Sequence, residues 1–255
     1  MTRFFVTPQD IFDNTIRLCA EDTKHVRTLR LRPDETFIVC DGTGIDYICI
    51  LGERDSNTVA EIVDKQPSIG EPTIKCSAYM AYSKGDRLDY AVQKSVELGV
   101  YEIILFESER CVAVPKDIPK KVSRLQRIAL ETAKQCNRGI VPEVTSAGSL
   151  NNVIDKVSAE SAQIKKLALF LYECENRMNI KNFLEQKLLA PCIGEDCEIK
   201  SVSIITGPEG GFEPHEAELA KSKGIPTVSL GTRILRSETA PVIALAAVMY
   251  HTGNL

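Results

Sequence analysis

Hydrophobic and polar positions follow two different patterns along the chain. In residues 1–66 the apolar residues form short, β-like runs, among them RFFV at the start and TFIVC and IDYICIL around the turn residues Asp41, Gly42 and Gly44. Turn signals at such close spacing are typical of antiparallel sheets. The pattern therefore predicts a small antiparallel barrel or sheet in this part of the chain.

From residue 73 onward, short apolar strands alternate with longer amphipathic segments. Strands that are apolar on both faces and alternate with helices predict a parallel sheet covered by helices on both sides. The proline-containing stretch QPSIGEP (66–72) has the composition of a linker. The sequence thus predicts an α/β fold class with two domains, residues 1–70 and 73–255.

The stretch ITGPEGGFEP (205–214) contains three glycines between the strand-like SVSIIT and a helix that starts near Pro214. Glycine loses the most entropy on folding, so this cluster predicts positive φ angles, Gly210 included, or a ligand against bare backbone. The stretch matches neither the P-loop nor the dinucleotide fingerprint, and Glu209 would repel phosphate. A ligand without phosphate fits this turn, and a tight turn without any ligand remains the alternative.

A second distinctive loop, LGTRILRSETA (230–240), precedes the apolar segment PVIALAAVMY. Pro241 is tolerated in the first turn of a helix, where Ser237 or Thr239 would cap it. A helix that is apolar all round is buried, either in the core or at a subunit interface. Arg233 and Arg236 then lie at its mouth, available for a ligand or paired with Glu238.

Charge is distributed unevenly, although the net charge is only −4. Residues 23–32 carry four basic residues and no acidic one, and residues 116–138 carry seven basic and two acidic residues. Such segregation in an acidic protein favours a phosphate-facing surface, with a solvated charged face as the alternative. Without an apolar run near 18 residues or a signal peptide, the protein is expected to be soluble, cytoplasmic and free of membranes.

The nine cysteines are scattered through apolar segments, which favours buried thiols over disulfides. Cys192 and Cys197 are the closest pair, but no histidine lies near them. The sequence therefore predicts no metal site.

Together, ITGPEGGF (205–212), LGTRILRSETA (230–240), KGDRLDYAVQKSVELGV (84–100) and the spaced Arg127, Glu131, Gln135, Arg138 and Pro142 resemble the RsmE-type methyltransferases of the SPOUT superfamily. The resemblance covers nearly the whole chain, since RFFV and HVRTLRLR are similar to that family's PUA-like barrel. Thr232 and Ser237 depart from it, standing where proline and threonine are common.

The resemblance implies a SPOUT-type parallel sheet with a C-terminal trefoil knot, preceded by a small PUA-like β-barrel, and a homodimer. It implies that S-adenosylmethionine binds in the knotted loops and that N3 of a uridine in small-subunit (16S) ribosomal RNA is methylated, within the small ribosomal subunit. It also assigns the cofactor contacts to three strand ends: Leu171 and Tyr172; Thr206, Gly207, Glu209, Gly210 and Gly211; and Leu230, Gly231, Ile234, Leu235 and Ala240.

Methyl transfer to the imide N3 requires its proton to leave and the resulting anion to be held, so positioning and electrostatics should dominate. We assign charge stabilisation to Arg236, while Glu238 is either the general base or a residue that orients an arginine. Basic residues expected to contact RNA are Arg3, Lys24, Arg27, Arg30, Arg32, Arg138 and Arg233. Two alternatives remain: a non-catalytic RNA-binding assembly factor, and a SPOUT enzyme acting on transfer RNA or a ribose 2′-oxygen.

Overall fold

A computed structural model of the chain describes residues 2–32, 35–54, 57–161, 166–188 and 199–255. For residues 54, 57 and 58 it describes the backbone only. The described residues divide into two compact units. The first contains residues 1–71 and 130–141, and the second contains residues 72–129 and 142–255. Segment 130–141, which the sequence pattern assigned to the second domain, therefore groups with the first unit.

The first unit is built on a six-stranded mixed sheet with the strand order β1-β4-β5-β6-β3-β2. Its strands are β1 (Arg3–Phe5), β2 (Ile11–Phe12), β3 (Thr15–Arg17), β4 (Phe37–Cys40), β5 (Ile45–Arg54) and β6 (Asn57–Pro67). The pairing of β1 with β4 is parallel, which departs from the predicted antiparallel arrangement, and the remaining pairs are antiparallel. Phe4, Ile16, Phe37 and Val39 are fully or almost fully buried in its core.

Helix α1 (Ala20–Leu29) interrupts the strands of this unit and was not predicted. Its apolar signal is weak, because Val26 is its one buried apolar residue. The start is instead defined by a cap, since the Cys19 sulfur accepts a hydrogen bond from the Asp22 backbone N–H at 3.3 Å. The start of this helix is therefore marked by a side-chain cap, and not by the spacing of apolar residues.

The predicted linker 66–72 is ordered by specific contacts. Gln66 and Pro67 complete β6, where Gln66 pairs with Asp46 in the sheet register. The Glu71 carboxylate accepts hydrogen bonds from the Arg138 guanidinium at 2.9 Å and from the backbone N–H groups of Gly139 and Ile140. Residues 66 and 67 thus belong to β6, and the boundary between the two units falls at the end of the segment, between Glu71 and Pro72.

The second unit is built on a six-stranded parallel sheet with the order β12-β10-β11-β7-β8-β9. Its strands are β7 (Lys75–Ala81), β8 (Glu102–Glu107), β9 (Glu143–Ser149), β10 (Lys166–Leu171), β11 (Ser201–Thr206) and β12 (Thr227–Val228). Its helices are α2 (Arg87–Glu97), α3 (Ile118–Gln135, which continues into the first unit), α4 (Leu150–Ser161), α5 (Ile180–Leu188), α6 (Pro214–Ser222) and α7 (Thr239–His251). The predicted parallel α/β sheet is confirmed.

Strand β11 is inserted between β7 and β10. Alternate residues of each strand face opposite sides of a sheet. On one side Tyr79, Phe106 and Phe170 pack in a core with residues of α4 and α6. On the other side α7 packs on β7 and β11 and contacts α2 and α5. This order brings the carboxyl ends of β7, β10, β11 and β12 to one edge of the sheet.

Candidate ligand-binding pocket at the carboxyl edge

The glycine-rich segment after β11 forms a tight turn in which the Gly211 N–H donates to the Pro208 carbonyl at 3.0 Å. Gly211 has a φ of +69°, and a Cβ added there would clash with the Glu173 carboxylate. Gly210 does not have a positive φ, so the prediction for that residue is wrong. Gly211 is the position of this turn that requires glycine.

Phe212 anchors the turn in the hydrophobic core. Its side chain is 1 % exposed and packs between Phe170, at a ring centroid distance of 4.1 Å, and Phe106, at 6.4 Å with parallel rings. A Cβ on Gly207 would approach the Phe212 ring to 3.0 Å. The backbone of the turn is thus held against a fixed aromatic surface.

The buried Glu216 side chain defines the start of α6 after this turn. One carboxylate oxygen accepts the Glu213 backbone N–H at 2.8 Å, and the other accepts the Glu109 backbone N–H at 3.0 Å. Arg110 also holds the glycine turn in place, because it donates to the Gly210 carbonyl at 2.9 Å and to the Glu213 carboxylate at 2.6 Å. The hydrogen bond with Glu213 raises the pKa of Arg110.

Glu209 points its carboxylate at the loop that precedes α2. Its Oε1 accepts the Lys84 backbone N–H at 2.6 Å and lies 2.8 Å from the Arg87 guanidinium. Burial by itself would raise the pKa of Glu209, but the Lys84 N–H and the Arg87 charge outweigh it and lower that pKa. The other oxygen, Oε2, is buried and has no hydrogen-bond partner among the described residues.

The loop between β12 and α7 presents exposed side chains and bare backbone. Gly231 has a φ of +113°, and a Cβ added to it would meet no atom of the described residues within 4 Å. Ile234 is 86 % exposed, and the Arg236 side chain is 82 % exposed. The backbone and side chains of this loop therefore face open space.

At the start of α7 the Arg236 carbonyl accepts the N–H groups of Thr239 and Ala240, at 2.9 and 3.0 Å. The hydroxyls of Ser237 and Thr239 do not cap the helix, contrary to the prediction; Ser237 instead donates to Glu238 at 3.2 Å. Glu238 lies 3.7 Å from the Arg87 Nε and 3.9 Å from the Arg236 guanidinium. The carboxylate of Glu238 therefore has two arginine neighbours.

These loops enclose a cavity of about 570 Å³ within the second unit. All twelve residues predicted to contact a cofactor line it: Leu171, Tyr172, Thr206, Gly207, Glu209, Gly210, Gly211, Leu230, Gly231, Ile234, Leu235 and Ala240. Arg233 and Arg236 also line this cavity, whereas Glu238 is not among its lining residues. The structure thus brings three separate stretches of sequence into one pocket.

Three residues that organise the pocket were missed in the sequence. Arg87 lines the cavity, Phe212 supports its floor, and Arg110 braces the glycine turn. The first two lie within the quoted segments KGDRLDY and ITGPEGGF, so their motifs carried a signal. Their roles, however, depend on contacts with residues far along the chain, such as Arg87 with Glu209 and Phe212 with Phe170. Periodicity does not report such contacts.

The predicted RNA-binding residues fall into two groups. Lys24, Arg27, Arg30 and Arg32, which we call the α1 basic surface, are exposed on the first unit. Arg3 is 4 % exposed and binds Asp46 through two hydrogen bonds of 2.6 and 2.8 Å, and Arg138 is 3 % exposed and pairs with Glu71. Burial removes Arg3 and Arg138 from the predicted RNA contacts.

The basic run 116–138 is partly neutralised within the chain. Lys121 and Arg124 pair with Asp89, and Lys134 pairs with Glu131 and Asp22. The excess of positive charge in this run therefore overstates the charge available to a partner.

The described residues that line this pocket include no cysteine and no group suited to a metal ion. Burial raises the pKa of Cys40, Cys49 and Cys76 to about 12, which keeps these thiols protonated. No group of three or more His, Cys, Asp or Glu side chains suited to a metal ion occurs among the described residues, and the Cys192–Cys197 pair lies outside them. Over the same residues, no helix is both long and apolar enough to cross a membrane.

A parallel sheet whose ligand pocket lies at the carboxyl ends of its strands is an architecture shared by many α/β enzymes. Residues 70–249 match the family model described as an RNA methyltransferase domain. That span contains the whole pocket.

The chain belongs to the ribosomal RNA small subunit methyltransferase E family. It is 30 % identical over its full length to the Bacillus subtilis (strain 168) protein of that name, of which 98 % is covered. A crystal structure of the Neisseria gonorrhoeae family member bound to S-adenosyl methionine superposes with a TM-score of 0.78 at 30 % identity, covering 98 % of this chain and 97 % of that one. A methyltransferase from Legionella pneumophila, solved in complex with bound SAM, gives a TM-score of 0.76 at 26 % identity, covering 98 % and 97 %.

Replacing Gly211 with alanine should lower the free energy of unfolding by about 2–3 kcal/mol, because it combines left-handed strain with a clash against Glu173. Gly224→Ala is the matched control, since Gly224 also has a positive φ, of +81°, but open space around it. We expect the control to cost only about 1 kcal/mol. Urea denaturation measures both, and equal losses would mean that Glu173 gives way without cost.

Proposed function

We propose that this protein transfers a methyl group from S-adenosylmethionine to N3 of a uridine in small-subunit (16S) ribosomal RNA. The observation that carries the proposal is the convergence of three loops on one cavity that is lined by every residue assigned to the cofactor from the sequence. The shared family and the ligand-bound relatives support the cofactor assignment.

The pocket has the chemistry that this cofactor requires. Its volume of about 570 Å³ lies within the usual range for small-molecule sites. S-adenosylmethionine has no phosphate, which agrees with a carboxylate inside the glycine turn. Glu209 Oε2 is an acceptor without a partner among the described residues, and Gly231 leaves backbone open to an approaching ligand.

The cofactor supplies a methyl group activated by its sulfonium centre. The chain holds the cofactor through the backbone of Gly207, Gly210 and Gly231 and through the apolar side chains of Leu171 and Leu235. Because the glycine turn is fixed by Phe212 and Arg110, these groups are oriented before any ligand enters. Binding energy is then available for alignment of the reacting atoms.

Arg236 stabilises the negative charge that develops on the uracil oxygens when the N3 proton passes to water. Its backbone carbonyl is fixed by the first turn of α7, while its side chain is 82 % exposed at the cavity. Arg233, three residues earlier and also exposed, holds an RNA phosphate. Glu238 has two arginine neighbours and is not among the residues that line the cavity, which favours orientation of an arginine over proton removal.

The finer architecture is part of the proposal. The mixed sheet of the first unit is a PUA-like RNA-binding barrel, and the second unit is a SPOUT domain with a trefoil knot at its C-terminal end. The family resemblance and the insertion of β11 between β7 and β10 support this assignment. The proposal of a trefoil knot would be contradicted by a crystal structure in which residues 199–255 do not pass through a loop of the chain.

We further propose a homodimer that buries one face of α7. Ile243 and Tyr250 are 44 % and 75 % exposed on that helix, and Ala246 and Ala247 lie between them on the same stripe. An exposed apolar stripe of this kind favours a protein partner. Sedimentation equilibrium would contradict the dimer if it found a monomer at micromolar concentration.

RNA binds the α1 basic surface, and the protein works in the cytoplasm on the small ribosomal subunit. The four basic side chains of this surface are exposed, and Lys24, Arg27 and Arg30 line one shallow groove with Thr23 and Thr28. Hydroxyl and cationic side chains together are suited to phosphate oxygens.

Mass-spectrometric mapping of ribosomal RNA from cells with and without the protein tests the reaction. We expect the loss of one N3-methyluridine from the small-subunit RNA. Loss of a methyl group from transfer RNA or from a ribose 2′-oxygen would instead identify a different SPOUT activity. Unchanged RNA, together with no heat of S-adenosylmethionine binding in calorimetry, would identify a non-catalytic RNA-binding factor.

Arg236→Ala should reduce single-turnover methylation by roughly 10²-fold or more, the scale expected when one preorganised charge-stabilising donor is lost. The fold and most cofactor affinity should remain, because the backbone carbonyl that caps α7 is unchanged. Arg233→Ala is the matched variant and should mainly weaken RNA binding. Normal turnover in Arg236→Ala with a collapse in Arg233→Ala would reverse the two roles.

Replacing Arg27, Arg30 and Arg32 with glutamine should weaken RNA binding and flatten its salt dependence, since each phosphate contact on a duplex contributes about 0.9 to the slope of log affinity against log salt. Cofactor affinity should not change. Filter binding at several salt concentrations measures the slope. A slope equal to that of the unmodified protein would leave the α1 basic surface as a solvated face.

A further inference from the structure

Arg87 connects the two loops that form most of the pocket. It is the first residue of α2, and its guanidinium lies 2.8 Å from Glu209, in the glycine turn after β11, and 3.7 Å from Glu238, at the start of α7. Arg87 also lines the cavity itself. One side chain therefore contacts a carboxylate on each side of the proposed cofactor site.

The position of this guanidinium is set by the surrounding helices. Helix α2 is anchored by the buried side chains of Leu88, Ala91 and Val92, so the first turn that carries Arg87 is fixed. The same helix packs against α7, the helix that Glu238 precedes. The planar fork of arginine can bind two carboxylates at once, whereas a lysine ammonium acts as a point charge.

The two carboxylates depend on this partner because both are largely shielded from water. The side chains of Glu209 and Glu238 are 20 % and 14 % exposed, against 41 % for Arg87. Without Arg87, Glu209 would keep the Lys84 N–H, but its Oε2 already has no partner among the described residues. A poorly solvated carboxylate without a counter-charge moves toward water or another donor. Such a movement would displace the glycine turn.

We propose that Arg87 is a positioning residue that holds the glycine turn and the loop before α7 in register, so that the pocket is formed before the cofactor binds. The inference rests on the proposed function of this pocket. Glu209 and Glu238 are then anchors for Arg87. Loss of the Arg87 side chain raises the free-energy cost of forming the pocket. It therefore lowers cofactor affinity more than it lowers the rate of the chemical step.

The test measures the dissociation constant of S-adenosylmethionine by calorimetry and the steady-state constants with ribosomal RNA as substrate. Arg87→Met should raise the dissociation constant and the KM for the cofactor about tenfold, the scale known for groups that orient a binding group. The kcat at saturating cofactor should fall by less than about threefold. Arg87→Lys should recover part of the affinity, and it also serves if the methionine variant does not fold.

A double-mutant cycle with Glu209→Gln tests the contact itself. If Arg87 acts through Glu209, the double variant should bind the cofactor about as weakly as the weaker single variant. Arg124→Met is the matched control. Arg124 is an exposed arginine of α3 that pairs with Asp89 of α2, the helix that carries Arg87, and it does not line the cavity. We expect its cofactor affinity to equal that of the unmodified protein.

Unchanged affinity in a folded Arg87→Met protein would overturn the inference, as would two single effects that multiply in the double variant. A collapse of kcat with unchanged affinity would also overturn it, because Arg87 would then act on the substrate. If the unmodified protein binds no S-adenosylmethionine, the proposed function fails and this inference fails with it. If it binds and Arg87→Met binds equally well, the inference alone fails.

Discussion

The insertion of β11 between β7 and β10 is the constraint on which the second unit depends. Parallel strands expose their carboxyl ends at one edge, and this order makes β12, β10, β11 and β7 four consecutive neighbours there. Each of the loops that follow them contributes to the pocket or to the network around it. In a simple sequential order, β8 and β9 would lie between β7 and the other three strands, and the loop after β7 would be separated from the pocket.

Rigidity of the pocket comes from two different kinds of interaction. On the core side, Phe212 lies between two other phenylalanines and fixes the turn by dispersion and shape. On the solvent side, carboxylates and arginines connect the turn to neighbouring loops, with Arg110 on one flank and Arg87 on the other. The apolar contact determines where the turn lies, and the polar contacts determine the direction in which its backbone groups face.

The sequence predicted the second unit well because its signals are local. Strands β7, β8, β10 and β11 are compact apolar runs, and the start of α6 is determined by neighbours close in sequence, Pro214 and Glu216. The residues that the motif resemblance assigns to a cofactor line one cavity, and their role in binding stays a prediction. Helix α1 was missed because its start is determined by a cysteine cap, and periodicity carries no information on such a cap. Arg3 and Arg138 were misjudged because an arginine is usually exposed, and their carboxylate partners Asp46 and Glu71 are 43 and 67 residues away in the sequence.

The strand order also has a consequence for how the chain is made. In the final sheet Tyr79 pairs with Ile205, so one edge of β7 has no native neighbour until β11 has left the ribosome. At the usual rates of translation, about 5–20 residues per second, that edge is open for roughly 6–25 s. An apolar strand with an unpaired edge is a site of aggregation. The growing chain is therefore expected to expose an aggregation-prone strand edge until β11 is complete.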